Sequence, residues 1–204
     1  MAQKIVGLIL AGGEGRRMGY QNKGLLSLQG RRLVEHVIDR IAPQVDQLYL
    51  SANRDLDHYR ALGLPIISDD PKWRGLGPLA GIASLLPYLE ENQRVQIVSC
   101  DGPFIPIDLV CRLRGGLSKL QEDNLEIKAA YPATREREHY LYLQALGEDL
   151  QVVESLLEAG DLRIRALLKQ LSAAPIYFDD ESAFVNCNQP QDLEALERKN
   201  HEEL

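Results

Sequence analysis

Short apolar runs alternate with helix-like patterns along most of the chain. The opening run, KIVGLIL at residues 4–10, predicts a strand, and apolar residues then recur over 33–41 at the spacing of one helix face. A later helical pattern over 79–89 contains Pro87, which is expected to kink that helix or end it early. Further strands are predicted over DQLYLSAN, LPIISD, RVQIVSCD, LEIKAAYP, HYLYLQAL and PIYF, and further helices over 150–157, over 164–171 and from about 191.

This alternation determines the predicted architecture. Continuous apolar strands joined through helices indicate a mostly parallel sheet that is covered on both faces. The predicted fold class is therefore α/β, a three-layer sandwich with a Rossmann-like sheet, in a single domain over residues 1–204. Ligands of such sheets bind beyond the carboxyl ends of the strands, so candidate site residues are sought directly after each strand.

Composition narrows the class of protein. The chain has 204 residues, 45% hydrophobic and 26% charged, which is enough for one proper core. A formal net charge of −7 argues against a nucleic-acid partner, and the apolar N-terminal run is too short for a membrane span. The spacing of Cys100, Cys111 and Cys187 fits neither a paired-thiol nor a zinc-finger motif, so reduced thiols are expected. We therefore expect a cytoplasmic protein without a membrane partner.

The first strand leads into a loop that combines glycines with positive charge. In ILAGGEGRRMGYQNKG, residues 9–24, the glycines leave backbone amides open to a close ligand, as in loops that wrap phosphate groups. Arg16 and Lys23 can add charge-assisted bonds to the same phosphates. The dinucleotide fingerprint is excluded because Met18 stands where its third glycine would be. The P-loop is excluded because it requires glycine followed by lysine, whereas here Lys23 precedes Gly24. The alternative is a flexible glycine turn with solvated cations.

A second candidate site follows the strand RVQIVSCD. Asp101 comes directly after the apolar run, and Pro103 prevents the strand from continuing. A carboxylate at that position beside a phosphate pocket suits Mg²⁺, which takes one or two carboxylates plus substrate phosphates. Capping of the following turn is the alternative role for Asp101. Asp69 and Asp70 repeat the pattern after LPIISD, where an acidic turn is the alternative.

Four segments of the chain, in order, resemble the molybdenum cofactor guanylyltransferase family: LAGGEGRRMGYQNKG, GPLAGI, CDGPFIP and FVNCNQPQDL. That family has the nucleotide-diphospho-sugar transferase fold. The resemblance implies transfer of GMP from GTP to the terminal phosphate of molybdopterin, with or without molybdenum, and release of pyrophosphate. It implies Mg²⁺ as cofactor and GTP and molybdopterin as substrates. It also makes other proteins of molybdenum cofactor biosynthesis candidate partners.

The resemblance assigns roles to individual residues. It makes Arg16, Lys23 and Asp101 catalytic, with Lys23 against the phosphates and Asp101 as the Mg²⁺ ligand. Asp69 would lie near the base or ribose, and either Ser51 or Asn53 takes the place of the family's asparagine after the second strand. The implied nucleotide-binding set is Leu10, Ala11, Gly12, Gly13, Lys23, Asn53, Asp69 and Asp101.

Some positions depart from the family pattern or stay open. Asn22 stands where the family often has an acid, and His139 lacks the proline that many members have beside it. Asn186 and Asn188 are candidates for binding Mg²⁺ or the pterin phosphate, and a turn into the last helix is their alternative role.

The resemblance also leaves alternative functions. One is a cytidylyl- or uridylyltransferase of the same fold. Gly13 in LAGG resembles the guanylyl members and so favours guanine over cytidine or uridine. The other is a nucleotide-binding regulator without turnover, against which the presence of both Lys23 and Asp101 argues.

Overall fold

A computed structural model describes residues 3–12, 22–187 and 192–193. Within these ranges, strands and helices alternate as the apolar pattern predicts. The strands are β1 (Ile5–Leu10), β2 (Ser27–Leu28), β3 (Arg31–Arg32), β4 (Gln47–Ser51), β5 (Ile66–Ile67), β6 (Arg94–Ser99), β7 (Ala129–Ala133), β8 (Gln144–Leu146) and β9 (Ala174–Tyr177). The α-helices are α1 (Leu33–Ile41), α2 (Leu56–Arg60), α3 (Pro78–Leu85), α4 (Leu109–Asp123), α5 (Val152–Glu158) and α6 (Ile164–Gln170).

Seven strands form one sheet in the order β5-β4-β1-β6-β8-β7-β9. Strand β1 pairs in parallel with β4 and β6, β4 pairs in parallel with β5, and β7 pairs in parallel with β9. Among the described strands of this sheet only β8 is reversed, since it pairs antiparallel to both β6 and β7. The sheet is therefore mostly parallel, as predicted, and the short β2-β3 hairpin lies outside it.

Two large apolar clusters lie one on each face of the sheet, and a third, small cluster contains Leu28, Leu33 and Cys187. Val6 and Leu8 of β1 pack into the cluster that contains α3, α5 and α6. Ile5 and Ile9 of the same strand pack into the other cluster, with α1, α2 and α4. Burial on both faces explains why β1 is apolar throughout and confirms the three-layer α/β sandwich.

Helix α3 ends where its sequence predicts. It stops at Leu85, and the 3₁₀ turn Leu86–Tyr88 that follows contains Pro87. A proline inside an α-helix removes a backbone donor and clashes with the preceding turn, so the helix ends early. Helices α1, α5 and α6 are also confirmed. Of the predicted last helix only residues 192–193 are described, and they are helical.

Helix α4 was not predicted, although it is 15 residues long. Its buried residues Leu109, Val110, Leu113 and Leu117 lie on one face, but most of the other residues are polar, and the helix contains paired glycines. Gly116 packs so closely under β9 that a Cβ there would overlap Ile176. Close packing against the sheet therefore stabilises a segment whose own helix propensity is weak.

The predicted strand HYLYLQAL is largely wrong. Only its end, Gln144–Leu146, is a strand, and that strand is antiparallel. The preceding residues form a turn in which the Tyr142 amide donates to the His139 carbonyl at 3.2 Å and the His139 amide donates to the Pro132 carbonyl at 2.9 Å. This turn brings the chain back between β6 and β7, which is why β8 runs against both.

The cysteines do not pair with one another. Cys100 and Cys187 are buried, Cys111 is exposed, and all three are free thiols. In the described part of the chain, no helix has both the length and the hydropathy that crossing a bilayer requires.

Candidate active site

The predicted site residues follow neighbouring parallel strands and lie at one edge of the sheet. Gly12 follows β1, Asn53 follows β4, Asp69 follows β5 and Asp101 follows β6. The Ala11 amide donates to the Ser51 carbonyl at 2.8 Å, which holds the end of β1 against the end of β4. The strand-end rule therefore locates one continuous candidate site.

Asn53 and Asp69 form a reciprocal pair at this edge. Asn53 Nδ2 donates to Asp69 Oδ2 at 2.7 Å, and the Asp69 amide donates to Asn53 Oδ1 at 2.8 Å. Burial raises the pKa of the Asp69 carboxyl group, while its bond from Asn53 opposes that rise. A Cβ at Gly12 would lie 3.1 Å from Asn53 Nδ2, so glycine lets the backbone after β1 pass close to this pair.

The side chains of Ser51 and Asn53 have different surroundings. Ser51 is buried beneath α3, where a Cβ at Gly81 would lie only 2.6 Å from its hydroxyl oxygen. Asn53, by contrast, is half-buried and lies beside Gly12. Of the two candidates for the asparagine position, Asn53 is therefore the one whose side chain lies at the candidate site.

Lys23 and Asp101 form an ion pair at the centre of the edge. Lys23 Nζ lies 3.2 Å from Asp101 Oδ2, and the two side chains are 25% and 11% exposed. The Ser99 hydroxyl donates to Asp101 Oδ1 at 2.6 Å. Among the described residues, the Asp101 carboxylate thus takes its bonds from side chains and not from the backbone of the following turn. In the described residues, therefore, Asp101 does not cap the following turn through its side chain, and its role as a Mg²⁺ ligand stays a prediction.

Asp70 differs from Asp101 in its contacts. It is exposed, and its Oδ1 accepts a bond from the Lys72 amide, two residues later, at 2.9 Å. This is a local turn of the kind that aspartate often forms. The acidic-turn interpretation therefore describes Asp70.

The C-terminal segment lies against the other side of Asp101. The Cys187 amide donates to the Asp101 carbonyl at 2.8 Å, and the Tyr142 hydroxyl donates to Asn186 Oδ1 at 2.9 Å. A Cβ at Gly102 would overlap the Tyr142 hydroxyl and lie 3.3 Å from Asn186 Oδ1. The glycine of CDGP therefore makes room for the tyrosine that contacts Asn186.

Sequence reasoning missed the residues that hold this segment in place. The buried His139 ring stacks on Phe184 with 4.5 Å between ring centroids, and Arg137 donates to the Phe184 carbonyl at 2.8 Å. Burial lowers the pKa of His139 to about 4, so its ring is neutral at neutral pH and packs as an aromatic group. The pattern HYLYL gives no sign of this, because alternating aromatic and aliphatic residues are also typical of a strand.

Comparison with known proteins identifies the family of the chain. The MobA-like NTP transferase domain family matches residues 7–175. Molybdenum cofactor guanylyltransferases of Shewanella sediminis and Burkholderia orbicola are 36% and 38% identical to this chain. The alignments cover 96% of this chain and 97% and 96% of those proteins. The chain belongs to the molybdenum cofactor guanylyltransferase family. Members of this family are nucleotidyltransferases.

Solved structures agree on the fold. The molybdopterin-guanine dinucleotide biosynthesis protein A of Archaeoglobus fulgidus superposes with a TM-score of 0.72 at 22% identity, covering 97% of this chain and 99% of that one. A CMP:2-keto-3-deoxy-manno-octonic acid synthetase, solved with CTP, gives a TM-score of 0.74 at 14% identity and covers 99% of this chain and 100% of its own. The molybdenum cofactor guanylyltransferase family therefore shares the NTP-transferase fold, with its mostly parallel sheet, with other nucleotidyltransferases.

The donor groups at the site fit Mg²⁺ as the guanylyltransferase resemblance implies. Asp101 presents carboxylate oxygens at a strand end, and oxygen is the ligand that Mg²⁺ prefers. In the described ranges, no three His, Cys, Asp or Glu side chains cluster as a metal site made by protein alone would require. One rigid carboxylate suits an ion whose remaining ligands are phosphate oxygens and water.

Three predicted guanylyltransferase residues, Gly13, Arg16 and Asn188, lie outside the described residues. The others of the predicted set lie at or directly after the strand ends at this edge, or in the segments that pack against them.

Proposed function

We propose that the chain transfers GMP from GTP to the terminal phosphate of molybdopterin, with or without bound molybdenum, to form molybdopterin guanine dinucleotide. The observation that carries this proposal is the Lys23–Asp101 ion pair. Polar side chains lie on either side of it: the Asn53–Asp69 pair on one side and Asn186 on the other. The names of the relatives supply the two substrates. We place the reaction in the cytoplasm, with other proteins of molybdenum cofactor biosynthesis as partners.

The nucleotide binds on the side of β1, β4 and β5 in this proposal. The backbone over Leu10–Gly12, continuing into Gly13, contacts the guanine nucleotide. The Asp69 carboxylate accepts hydrogen bonds, so it suits the donors of guanine, N1–H and the 2-amino group, or the ribose hydroxyls. Asn53 fixes the orientation of Asp69 through the 2.7 Å and 2.8 Å bonds of their reciprocal pair.

The chemistry needs no general base. The second pKa of a phosphomonoester is about 6, so the terminal phosphate of molybdopterin is largely a dianion at neutral pH. One of its oxygens attacks the α-phosphorus of GTP, and the bond from that phosphorus to the bridging oxygen of pyrophosphate breaks. The protein must hold two polyanions in line and neutralise their charge.

Lys23, Arg16 and Asp101 share that task in the proposal. The Lys23 ammonium, now 3.2 Å from Asp101, can exchange the carboxylate for a phosphate oxygen when the triphosphate binds. Arg16 adds a second cation to the phosphates. Asp101 holds Mg²⁺, which supplies charge neutralisation and orientation of the phosphates when it is bound.

The acceptor binds on the side of Asn186 and Asn188. Because Asn186 Oδ1 accepts the bond from Tyr142, its Nδ2 group is left to donate to an anionic oxygen. We assign this donor to the pterin phosphate; ligation of Mg²⁺ by the second lone pair of Oδ1 is the alternative. Asn188, two residues later, is assigned to the same phosphate.

A pyrophosphate-release assay tests the proposal. Each of the four ribonucleoside triphosphates is supplied with Mg²⁺, with and without molybdopterin. Rapid release with GTP that depends on molybdopterin is expected. Equal or faster release with CTP would make the protein a cytidylyltransferase, and tight GTP binding without any release would make it a regulator.

A further inference from the structure

A buried tyrosine hydroxyl lies directly beneath the turn that carries Lys23. Tyr59 of α2 is fully buried, and its hydroxyl donates to Asn22 Oδ1 at 2.6 Å. Burial raises the pKa of Tyr59, so the hydroxyl keeps its proton and remains a donor at neutral pH. Asn22 directly precedes Lys23 and is itself buried.

The bond from Tyr59 fixes the orientation of the Asn22 amide. With Oδ1 engaged by the hydroxyl, Nδ2 donates to Asp55 Oδ2 at 3.1 Å. The Asn22 carbonyl accepts from the Leu25 amide at 3.0 Å, which closes the 3₁₀ turn Lys23–Leu25. The side chain and the backbone of Asn22 therefore connect Tyr59 to the turn that presents Lys23.

The same hydroxyl also contacts the turn through Gly24. A Cβ at Gly24 would lie 2.6 Å from the Tyr59 hydroxyl oxygen and 3.4 Å from Cys100 Sγ. Cys100 directly precedes Asp101. The turn is thus enclosed between Tyr59 on one side and the strand end that carries Asp101 on the other.

We propose that Tyr59 is a positioning residue, whose hydroxyl holds the Lys23 ammonium in register with Asp101 through Asn22. Tyr59 touches neither charge itself and acts only through the turn. The proposal rests on the proposed function for its kinetic effect, but the placement of Lys23 can be measured without turnover. It also gives the departure at Asn22 a role, since an amide can accept from Tyr59 and donate to Asp55 at once.

Tyr59→Phe tests the proposal, with Tyr49→Phe as matched control. The Tyr49 hydroxyl also bonds an amide side chain, since it accepts from Gln47 Nε2 at 2.6 Å, but Gln47 is an exposed residue at the start of β4. Tyr59→Phe is expected to lower kcat about five- to twentyfold while KM for GTP changes less than about threefold, since misplacement costs positioning of the reacting groups. Tyr49→Phe is expected to leave kcat within about twofold of the parent.

A double-mutant cycle separates positioning from general loosening of the fold. If Tyr59 acts through Lys23, Tyr59→Phe changes kcat less than about twofold in a Lys23→Ala background. The same loss in both backgrounds would overturn the proposal, as would a kcat equal to that of the Tyr49→Phe control.

Lysine reactivity gives a readout that does not depend on turnover. The folded protein is treated with limiting acetic anhydride, and acetylation of Lys23 is measured by mass spectrometry relative to Lys119, an exposed lysine of α4. Release of Lys23 from Asp101 is expected to raise its relative acetylation about threefold or more in Tyr59→Phe and not in Tyr49→Phe. Unchanged acetylation would refute the positioning role. Inactivity of the parent with every triphosphate would instead refute the proposed function, and the acetylation result would still stand.

Discussion

Asp101→Asn is the most direct test of the proposed chemistry. The substitution keeps the size and shape of the side chain and removes its charge. An amide oxygen can still accept the bond that Ser99 donates at 2.6 Å. Its nitrogen, however, cannot accept from Lys23, whose Nζ lies 3.2 Å from Asp101 Oδ2. The amide is also a much poorer ligand for Mg²⁺.

The geometry sets the size of the two expected effects. The Lys23–Asp101 pair is partly exposed, at 25% and 11%, and a pair of that kind contributes up to about 1 kcal/mol to folding. The melting temperature should therefore fall by only about 2–4 °C. Transfer loses the charge-assisted contact to Mg²⁺, worth about 1.5–3 kcal/mol, because Lys23 has exchanged Asp101 for a phosphate oxygen by then, so the rate should fall roughly ten- to a hundredfold.

The assay is pyrophosphate release from GTP with molybdopterin, over a range of Mg²⁺ concentrations, on protein whose folding is checked by circular dichroism. High Mg²⁺ should restore only part of the rate. Asp70→Asn is the matched control, because Asp70 also follows a strand, β5, but its side chain accepts a bond from the Lys72 amide of its own turn at 2.9 Å. Full activity of Asp101→Asn at ordinary Mg²⁺ would refute the reasoning and move the metal to Asp69 or Asp70.

Three further outcomes are expected. Lys23→Ala should keep the fold but lose a phosphate contact of about 1.5–3 kcal/mol, which lowers GTP turnover roughly ten- to a hundredfold. A normal turnover rate would show that Lys23 does not bind the phosphates. Gly24→Ala places a Cβ 2.6 Å from the Tyr59 hydroxyl oxygen, so urea unfolding should show a loss of about 1–3 kcal/mol, whereas Gly115→Ala, with open space around it, should cost nothing. Burial lowers the pKa of His139 from 6.5 to about 4, so the folded state binds fewer protons there and stability falls as pH drops from 6.5 toward 4. A His139→Gln variant should lack that part of the decline in melting temperature, and an identical decline would contradict the assignment.

The sequence predicts those elements whose burial leaves a simple pattern. Strand β1 is apolar on both faces because each face packs against its own cluster, and α1 repeats its apolar residues at helical spacing. Helix α4 is not predicted from the sequence, because most of its surface is polar and its paired glycines oppose helix formation. The direction of β8 cannot be predicted either, since apolar residues indicate a strand but not whether it runs parallel or antiparallel to its neighbours.

The same limit applies to the site. Lys23 and Asp101 could be proposed together because charge and strand ends are visible in the sequence. Tyr59 and Tyr142 could not, because no residue near either tyrosine in the sequence indicates the amide side chain that it contacts in the fold. Their partners, Asn22 and Asn186, lie 37 and 44 residues away along the chain. Such contacts depend on tertiary structure and leave no local periodicity.

The two halves of the site are encoded in separate parts of the gene. The residues assigned to the nucleotide all occur up to Asp101, and those assigned to the acceptor all follow it, from Tyr142 to Asn188. Under the proposed function, evolution can therefore alter the acceptor through changes confined to the second half of the chain. The residues assigned to the nucleotide, to Mg²⁺ and to the transfer step lie in the first half of the chain, up to Asp101, and such changes leave them unaltered.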